Sequence, residues 1–446
     1  MKLWKNKAFW RFLIPSLIGI FLFITPVQFQ GEPTIPIAML AHILKCLIGE
    51  NFLTVSWILI TASAVVTVLH KIVNFRFLRR NAKINETFSI GGFWLAVRLA
   101  GCVLINLIYF QCGPAFIIGP RTGALVATDL LPTLACIFFL GGIFLSLLMD
   151  YGLLDLLGTY LIKVMRPVFN LPGRSALNCI TSWLGDGSLG VMISGRQYEE
   201  GFYSRREATV VATTFSAVSI TFCLAVVDEV GLKHMFLPFY LAVTVAGIVA
   251  ALIVPRIPPL SRVPDTYCRE TPIQEDIPAG MSTSKYAGKV CLEKAANAPG
   301  FAGFLRAGLE NVVEMIFGTL PVVLTIGTIA LILSEYTPLF QWLGMPFEPL
   351  YRLLQIPEAK AASQTVLVGF ADMFVPSVIA GKTIASELTR FVVAATSVTQ
   401  LIYMSEIGCI IMSSKIRIPF YKLFIIFLER TLVTLPVIAL FAHLLF

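Results

Sequence analysis

Two aspartates interrupt otherwise apolar stretches of this chain. Asp186 lies between Gly185 and Gly187, and Asp372 is followed closely by Pro376. A carboxylate at membrane depth is costly unless it is buried in protein or lines a water-filled cavity. In such a cavity it could bind Na⁺, exchange a proton or hydrogen-bond a polar substrate, which is the role we expect here. The alternative is that each Asp only caps backbone N–H groups at a turn.

Further polar groups accompany the aspartates at matching spacings. Asn178 and Gln364 precede them, Arg196 and Lys382 follow them, and hydroxyl-rich segments come next. The alternatives are that the hydroxyls bond carbonyls of their own helices and that the two basic residues reach to the interface as anchors. The predicted substrate- and ion-binding residues are Asp186, Asp372, Asn178, Gln364, Ser188, Thr214, Thr396, Thr399, Gln400, Glu406, Arg196 and Lys382.

Two other ionisable positions lie in apolar runs. Glu406 precedes Ile-Gly as Glu229 precedes Val-Gly, which suggests that they are counterparts. Arg98 falls in the middle of a predicted span and needs a partner, for which Asp129 or a hairpin carboxylate are candidates. Ionisable residues at such depth are functional candidates by default.

Known catalytic and metal-binding patterns are absent from the sequence. It contains no phosphate-loop, H-E-x-x-H or G-x-S-x-G motif, and its nine Cys form no C-x-x-C pair. The four His form no cluster. We therefore expect a protein that is not an enzyme and that holds no metal or cofactor, with Na⁺ or H⁺ entering only as a coupling ion.

The composition indicates the elements that position these groups. Of 446 residues, 57% are hydrophobic and only 13% are charged, against roughly 25% charged in soluble proteins. Several apolar runs exceed the roughly 18 residues that cross a bilayer. The fold class is therefore all-α and polytopic, because a membrane barrel would show short alternating segments instead. The net charge of +8 lies in loops, where it orients a membrane protein, and nucleic acid is not an expected partner.

Nine transmembrane helices are predicted, with an uncleaved first span. The basic loop 71–83 and the Lys-rich N-terminus are expected on the cytoplasmic side of a bacterial inner membrane. The predicted spans are 12–29, 53–73, 89–111, 129–149, 206–228, 233–255, 311–334, 388–412 and 418–444.

Two apolar segments do not fit as simple spans. Segments 177–194 and 364–380 each contain Gly and Asp, and the second also contains Pro. We interpret both as re-entrant hairpins, in which two half-helices enter and leave the membrane on the same side.

The hairpins belong to two copies of one unit. Leu131-Pro132 corresponds to Leu320-Pro321, and Asp186 aligns with Asp372 without a gap through the hairpins. Each copy holds three true crossings, an odd number, so tandem copies must be inverted, a hallmark of secondary transporters. The predicted regions are a three-helix scaffold (1–122), the first repeat (123–255), a flexible, polar cytoplasmic linker (256–302) and the second repeat (303–446).

With these two copies, the chain resembles the Gate-domain membrane proteins, also called nucleoside-recognition proteins, and within them the YjiH-like group. The resemblance rests on the paired Leu-Pro motifs, the Asp186 and Asp372 hairpins, and Gly195-Arg196 with Gly381-Lys382. It implies a core similar to that of concentrative nucleoside transporters, in which the hairpins and the following helices bind substrate. It also implies movement of that core as an elevator, coupled to Na⁺ or H⁺.

The expected function is secondary active transport of a small polar metabolite (a nucleoside, an amino acid or a short peptide), with symport of H⁺ or Na⁺. The substrate site is expected between the hairpins at the membrane midplane. A non-transporting scaffold in envelope assembly and a lipid-linked or metal-ion translocator are the alternatives. The expected partners are the lipid bilayer and a small polar solute, and the sequence leaves open a homodimer through the first three helices.

Overall fold

A computed structural model describes residues 7–25, 27–29, 32–73, 75, 81–184, 187–215, 218, 220–269 and 281–446. The described chain is helical apart from one small antiparallel ribbon, in which Val27–Phe29 pairs with Glu32–Thr34. The predicted all-α class is confirmed.

The N-terminal region differs from the prediction at its first span. Helix Lys7–Phe23 ends before the ribbon, so the predicted span 12–29 is too long. A further helix, Pro36–Ile48, begins with Pro at its first position, where the missing N–H is harmless. The remaining helices of this region are Phe52–Val73, Ala82–Phe88, Gly92–Tyr109 and Ala115–Ile118.

The first repeat follows in a continuous series of short and long helices. Its helices are Gly123–Leu125, a π-helical segment Val126–Leu130, Leu131–Met149, Leu153–Phe169, Ser175–Leu184, Gly187–Glu199, Arg205–Val210, a second π-helical segment Val211–Phe215, Ile220–Glu229, the 3₁₀ turn Lys233–Met235, Phe236–Ile253 and the 3₁₀ turn Val254–Arg256.

The second repeat has the same order. Its helices are Phe301–Val313, the π-helical segment Glu314–Thr319, Leu320–Tyr336, Leu339–Gly344, the 3₁₀ turn Met345–Phe347, Glu348–Leu353, Ala359–Val366, Val368–Ala371, Val375–Thr383, Glu387–Gln400, Ile407–Ser413 and Phe420–Leu445.

Backbone details repeat at equivalent positions. A π-helical segment directly precedes both Leu-Pro helices, Leu131–Met149 and Leu320–Tyr336. Before each hairpin the chain turns through a left-handed residue, Asn170 in one copy (φ 56°) and Gln355 in the other (φ 54°). After each hairpin a Ser caps the next helix by accepting a hydrogen bond from an N–H three residues on. These shared irregularities confirm the repeat.

The two hairpins enter from opposite ends of the molecule. The two ends of helix Phe236–Ile253 lie about 27 Å apart, and each end lies near a different hairpin. At its C-terminal end, Arg256 Nη2 donates to Val168 O (2.8 Å), just before the first hairpin. Near its N-terminal end, Arg390 Nη1 donates to Val230 O (2.9 Å), just after the second hairpin. The repeats are therefore inverted, as predicted.

The protein is a multi-pass membrane protein. Within the described residues, six helical segments are long and apolar enough to cross a bilayer: Pro36–Val73, Gly92–Tyr109, Ala115–Met149, Lys233–Arg256, Phe301–Tyr336 and Phe420–Leu445. The predicted spans 206–228 and 388–412 are not continuous helices, because the backbone is not helical at Val218 in the first and at residues 401–406 in the second.

The predicted flexible linker is wrong in its second half. Thr283–Asn297 forms a helix that packs between the first helix of the chain and Leu153–Phe169. Arg11 donates to the carbonyl oxygens of Ala296 (3.1 Å) and Ala298 (2.5 Å). Residues 270–280 of the linker lie outside the described residues.

A buried ion cluster attaches this helix to the first repeat. The Asp155 carboxylate pairs with Arg174 (2.8 Å) and Lys294 (3.2 Å), and both cations lie over the Phe202 ring. Burial alone would raise the pKa of the Asp155 carboxyl. The charges and hydrogen bonds of Arg174 and Lys294 outweigh burial, so its pKa lies below the usual range.

We expect Asp155→Asn to lower the free energy of unfolding by roughly 3 kcal/mol, because it leaves buried cations unpaired. A depressed pKa stabilises the fold above the unfolded-state value near 4, and this contribution is lost as pH falls through the folded-state pKa. The wild type should therefore lose more stability than Asp155→Asn on acidification below about pH 4. Thermal unfolding in detergent between pH 3 and 7 measures both effects.

The matched control for this prediction is Glu293→Gln on the same helix. Glu293 pairs with Lys289 at 3.8 Å with both side chains largely exposed, and such pairs contribute little. Equal melting temperatures for Asp155→Asn and Glu293→Gln would contradict the proposed attachment.

Candidate functional site

A cavity of about 260 Å³ lies where the two hairpin tips and the two helix breaks meet. Each repeat contributes a hairpin tip and a broken helix to its wall. Its lining residues are Leu125, Leu130, Gly187, Val218, Phe222, Asp372, Met373, Phe374, Val375, Leu401, Tyr403, Ser405, Glu406 and Ile407. We call this the central cavity.

Asp372 shapes the tip of the second hairpin. Its backbone is extended (φ −151°, ψ 139°) and ends the entering arm after Ala371. Carboxylate atom Oδ1 accepts hydrogen bonds from the backbone N–H groups of Phe374 (2.8 Å) and Val375 (3.2 Å), so Asp372 caps the returning arm. Atom Oδ2 accepts from the Ser405 hydroxyl at 2.8 Å. Asp372 is therefore both a cap and a wall of the central cavity.

Backbone hydrogen bonds join the break in the second repeat's helix to this hairpin tip. The N–H groups of Met404 and Ser405 donate to the carbonyls of Phe370 (2.8 Å) and Ala371 (2.9 Å). Such pairing satisfies irregular backbone at membrane depth, where lipid offers no partner. It also places Glu406 in the cavity wall, where the Tyr403 hydroxyl donates to Glu406 Oε2 at 3.2 Å.

The first repeat faces the same cavity from the other side. Asp186 lies outside the described residues, so its role stays a sequence prediction. The next residue, Gly187, begins the returning arm and lines the cavity. Val218, from the break in the first repeat's helix, and Phe222, in the helix Ile220–Glu229 that follows, line it too. The two hairpin tips thus approach one chamber.

Beside the central cavity, Arg430 joins the two broken helices. Its Nε and Nη2 donate to the carbonyl of Thr399 (3.1 and 2.7 Å), and its Nη1 donates to the carbonyl of Thr214 (3.2 Å). Arg430 is 1% exposed and lines a mostly apolar neighbouring cavity of about 320 Å³. Both carbonyls lie just before a break, where the helix supplies no donor.

The predicted site residues divide into three groups. Asp372 and Glu406 line the central cavity, whereas Thr214 and Thr399 line the neighbouring one. Buried polar residues of the hairpins and of helix Glu387–Gln400 form the second group: Ser188, Asn178, Thr396 and Gln400. Residues remote from the central cavity form the third: Gln364, Arg196 and Lys382.

Two members of the second group, Asn178 and Gln400, join helices together. Asn178 Nδ2 donates to the Ser194 hydroxyl at 3.3 Å, which joins the two arms of the first hairpin. Gln400 Nε2 donates to Val366 O (3.2 Å) and to the Thr431 hydroxyl (2.9 Å). These contacts match the packing role that the sequence left open as an alternative.

The third group lies elsewhere. Arg196 forms a bidentate pair with Asp150, both distances 2.8 Å, at the base of the first hairpin. Gln364 is half-buried, with its backbone against Gly344, and Lys382 is exposed at the base of the second hairpin. Within the structure, the predicted pairs of amides and of basic residues therefore do not meet around one ligand.

Asp129 as the partner of Arg98 and the pairing of Glu229 with Glu406 are wrong, whereas the alternative partner Asp186 lies outside the described residues. The Arg98 guanidinium donates to the Thr67 hydroxyl (2.8 Å), whereas Asp129 is exposed and is not its partner. Glu229 ends the second half-helix of its repeat, whereas Glu406 precedes the equivalent half-helix, so the two are not counterparts. The shared Glu-x-Gly pattern therefore lies at the C-terminal end of the half-helix in the first repeat and at the N-terminal end in the second.

The chain is similar to known proteins at the levels of domain, whole chain and fold. The Gate model, described as nucleoside recognition, matches residues 131–233. An uncharacterised protein of Alkalihalophilus pseudofirmus is 44% identical over 438 residues, which cover 98% of this chain and 94% of that protein. The chain belongs to the Gate-domain family. A solved structure of CNTnw, a concentrative nucleoside transporter, in an outward-facing state has a TM-score of 0.40 at 12% identity, covering 97% of this chain and 100% of that chain.

In this Gate-domain protein the matched segment holds the first hairpin and its broken helix, up to Lys233. The inverted second repeat supplies the better described half of the central cavity. Sequence reasoning had not singled out Tyr403 or Arg430. For Arg430 the signal was a charged residue within a long apolar helix, which is a functional candidate by default.

We predict that Arg430→Met destabilises the protein by on the order of 1–3 kcal/mol for each carbonyl left without a donor. Arg430→Lys should be intermediate, because one ammonium group cannot reproduce the guanidinium fork. Thermal unfolding in detergent provides the measurement. Arg352→Met, which removes an exposed pair with Glu348, is the control. Stability of Arg430→Met equal to that of the control would show that Arg430 does not hold the breaks.

Proposed function

We propose that this Gate-domain protein is a secondary active transporter of a small polar metabolite, coupled to H⁺ or Na⁺, in the inner membrane of a bacterium with its N-terminus in the cytoplasm. The observation that carries the proposal is the central cavity. It is enclosed by hairpin tips from oppositely oriented repeats, as expected for a substrate site in an inverted-repeat transporter.

The chemistry of the wall supports a neutral or cationic solute. Asp372 and Glu406 are its ionisable side chains, and no Lys, Arg or His of the described residues lines it. Two carboxylates in a poorly solvated space repel each other, and a cation or proton relieves that repulsion. Entry of Na⁺ or H⁺ would therefore favour occupation of the cavity.

The remaining wall supports a solute with a ring or an apolar part. Phe222, Phe374 and Tyr403 supply aromatic surface, and Ser405 supplies a hydroxyl. Ligand sites commonly combine apolar and aromatic walls with a few placed polar groups. A nucleoside, as the family description suggests, fits this chemistry, as do an aromatic amino acid and a short peptide.

The decisive measurement is uptake into proteoliposomes under imposed H⁺ or Na⁺ gradients, with nucleosides, amino acids and dipeptides as solutes. We expect gradient-dependent uptake of at least one solute class. Asp372→Asn and Glu406→Gln should each lower it by roughly tenfold or more, equivalent to about 1.4 kcal/mol of lost interaction.

Glu335→Gln is the control, because Glu335 pairs with Arg121 at 2.8 Å in an exposed position and does not line the cavity. Uptake that ignores both gradients and survives both cavity substitutions would contradict the proposal. Absence of flux together with a stably co-purifying protein would instead favour the scaffold alternative.

A further inference from the structure

A second polar cavity, of about 140 Å³, lies away from the central one. Its walls come from helix Gly92–Tyr109, the π-helical segment Glu314–Thr319, the returning arm Gly187–Glu199 of the first hairpin, and the chain just after Ile407–Ser413. We call it the seam cavity, because it separates the N-terminal helices from the hairpin core. It shares no lining residue with the central cavity.

Positive charge predominates in the seam cavity. Arg98, Arg196, Lys415 and Arg417 line it, together with Glu199 and Glu314. Arg196 is neutralised by Asp150 and Glu200, which lie 2.8 and 2.9 Å away. Lys415 and both glutamates have interactions of their own. The guanidinium groups of Arg98 and Arg417 form no ion pair with a carboxylate that the structure describes.

Arg98 is a buried cation that forms no ion pair with the carboxylates that the structure describes. It is 4% exposed, and Nη1 donates to the Thr67 hydroxyl at 2.8 Å. Its guanidinium carbon lies 6.0 Å from the centre of the Phe88 ring. Among the side chains that the structure describes, no carboxylate oxygen lies within 4.0 Å of its nitrogens. A buried charge is ordinarily paired, because desolvation is expensive.

Arg417 faces the same cavity from the core. It is exposed and has a left-handed backbone (φ 48°), a conformation that is strained for a residue with a Cβ atom. No ion pair within 4.0 Å forms between Arg417 and any carboxylate that the structure describes. Thr319 and Ser413 also line this cavity, and the Ser413 hydroxyl donates to the Thr319 hydroxyl at 3.5 Å.

We propose that the seam cavity is a binding site for a phosphate group, either free phosphate or the headgroup of an anionic phospholipid. Guanidinium groups present a donor fork that matches phosphate oxygens, and hydroxyls supply further donors. The volume is about ten times the roughly 10–15 Å³ that one water needs on the same measure. A bound phosphate supplies the negative charge that Arg98 and Arg417 lack.

The location gives the anion a consequence for conformation. Arg98 belongs to the N-terminal helices, whereas Arg417 follows the broken helix of the second repeat. A phosphate that contacts both cations favours whichever arrangement of the two parts keeps them close. The site is therefore suited to stabilise one conformation of the protein without entering the central cavity.

Binding is measured through Trp94, which lines the seam cavity. Purified protein in nanodiscs of phosphatidylcholine is titrated with inorganic phosphate against chloride at equal ionic strength, and tryptophan fluorescence is recorded. In a parallel arm, the nanodiscs contain phosphatidylglycerol. We expect a saturable change in one of the two arms, and its absence in Trp94→Phe. A response to inorganic phosphate identifies the free anion as the ligand, and a response only with phosphatidylglycerol identifies the lipid headgroup.

Arg417→Gln should weaken the response at least tenfold, as should Arg98→Gln. Because Arg417 is exposed, its variant tests the site even if Arg98→Gln fails to fold. Arg352→Gln, at an exposed position remote from this cavity, should respond like the wild type. No response in either arm, or an unchanged response in Arg417→Gln, overturns the proposal.

Discussion

A helix that stops in the middle of a membrane leaves its last carbonyl oxygens without donors, and lipid supplies none. In this protein two helices are interrupted, at the non-helical residues Val218 and Leu401. The guanidinium of Arg430 supplies hydrogen-bond donors at both breaks, because it donates to the carbonyls of Thr214 and Thr399. One side chain thus permits two breaks, and the breaks create the walls of the central cavity.

The wall of the central cavity is built largely from non-helical backbone. Its shape therefore depends on side-chain hydrogen bonds for which a ligand could compete. Asp372 holds the second hairpin tip closed through N–H groups of Phe374 and Val375, and it also accepts from Ser405. A cation that coordinated this carboxylate in transport would compete with those donors. The two carboxylate oxygens of Asp372 would then link occupation of the cavity directly to the shape of the hairpin tip.

The repeat, its inversion and both hairpins were predictable from sequence because they depend on Gly, Pro and Asp at fixed spacings. Comparing the two copies could not reveal Arg430, because the equivalent helix Phe236–Ile253 contains no charged residue. The ion cluster around Asp155 was also not predictable from the sequence. Its partner Lys294 comes from a polar segment whose helix is stabilised by tertiary contacts rather than by an apolar pattern.

The two cavities differ in the sign of the charge that predominates in their walls. The central cavity presents the carboxylates of Asp372 and Glu406, whereas the seam cavity presents the guanidinium groups of Arg98 and Arg417. Had these groups lain together, they would have neutralised each other as ordinary ion pairs, as Arg196 and Asp150 do. Kept apart, each set retains its attraction for mobile ions. Such separation supports both proposals, a cation or proton in the central cavity and a phosphate group in the seam cavity.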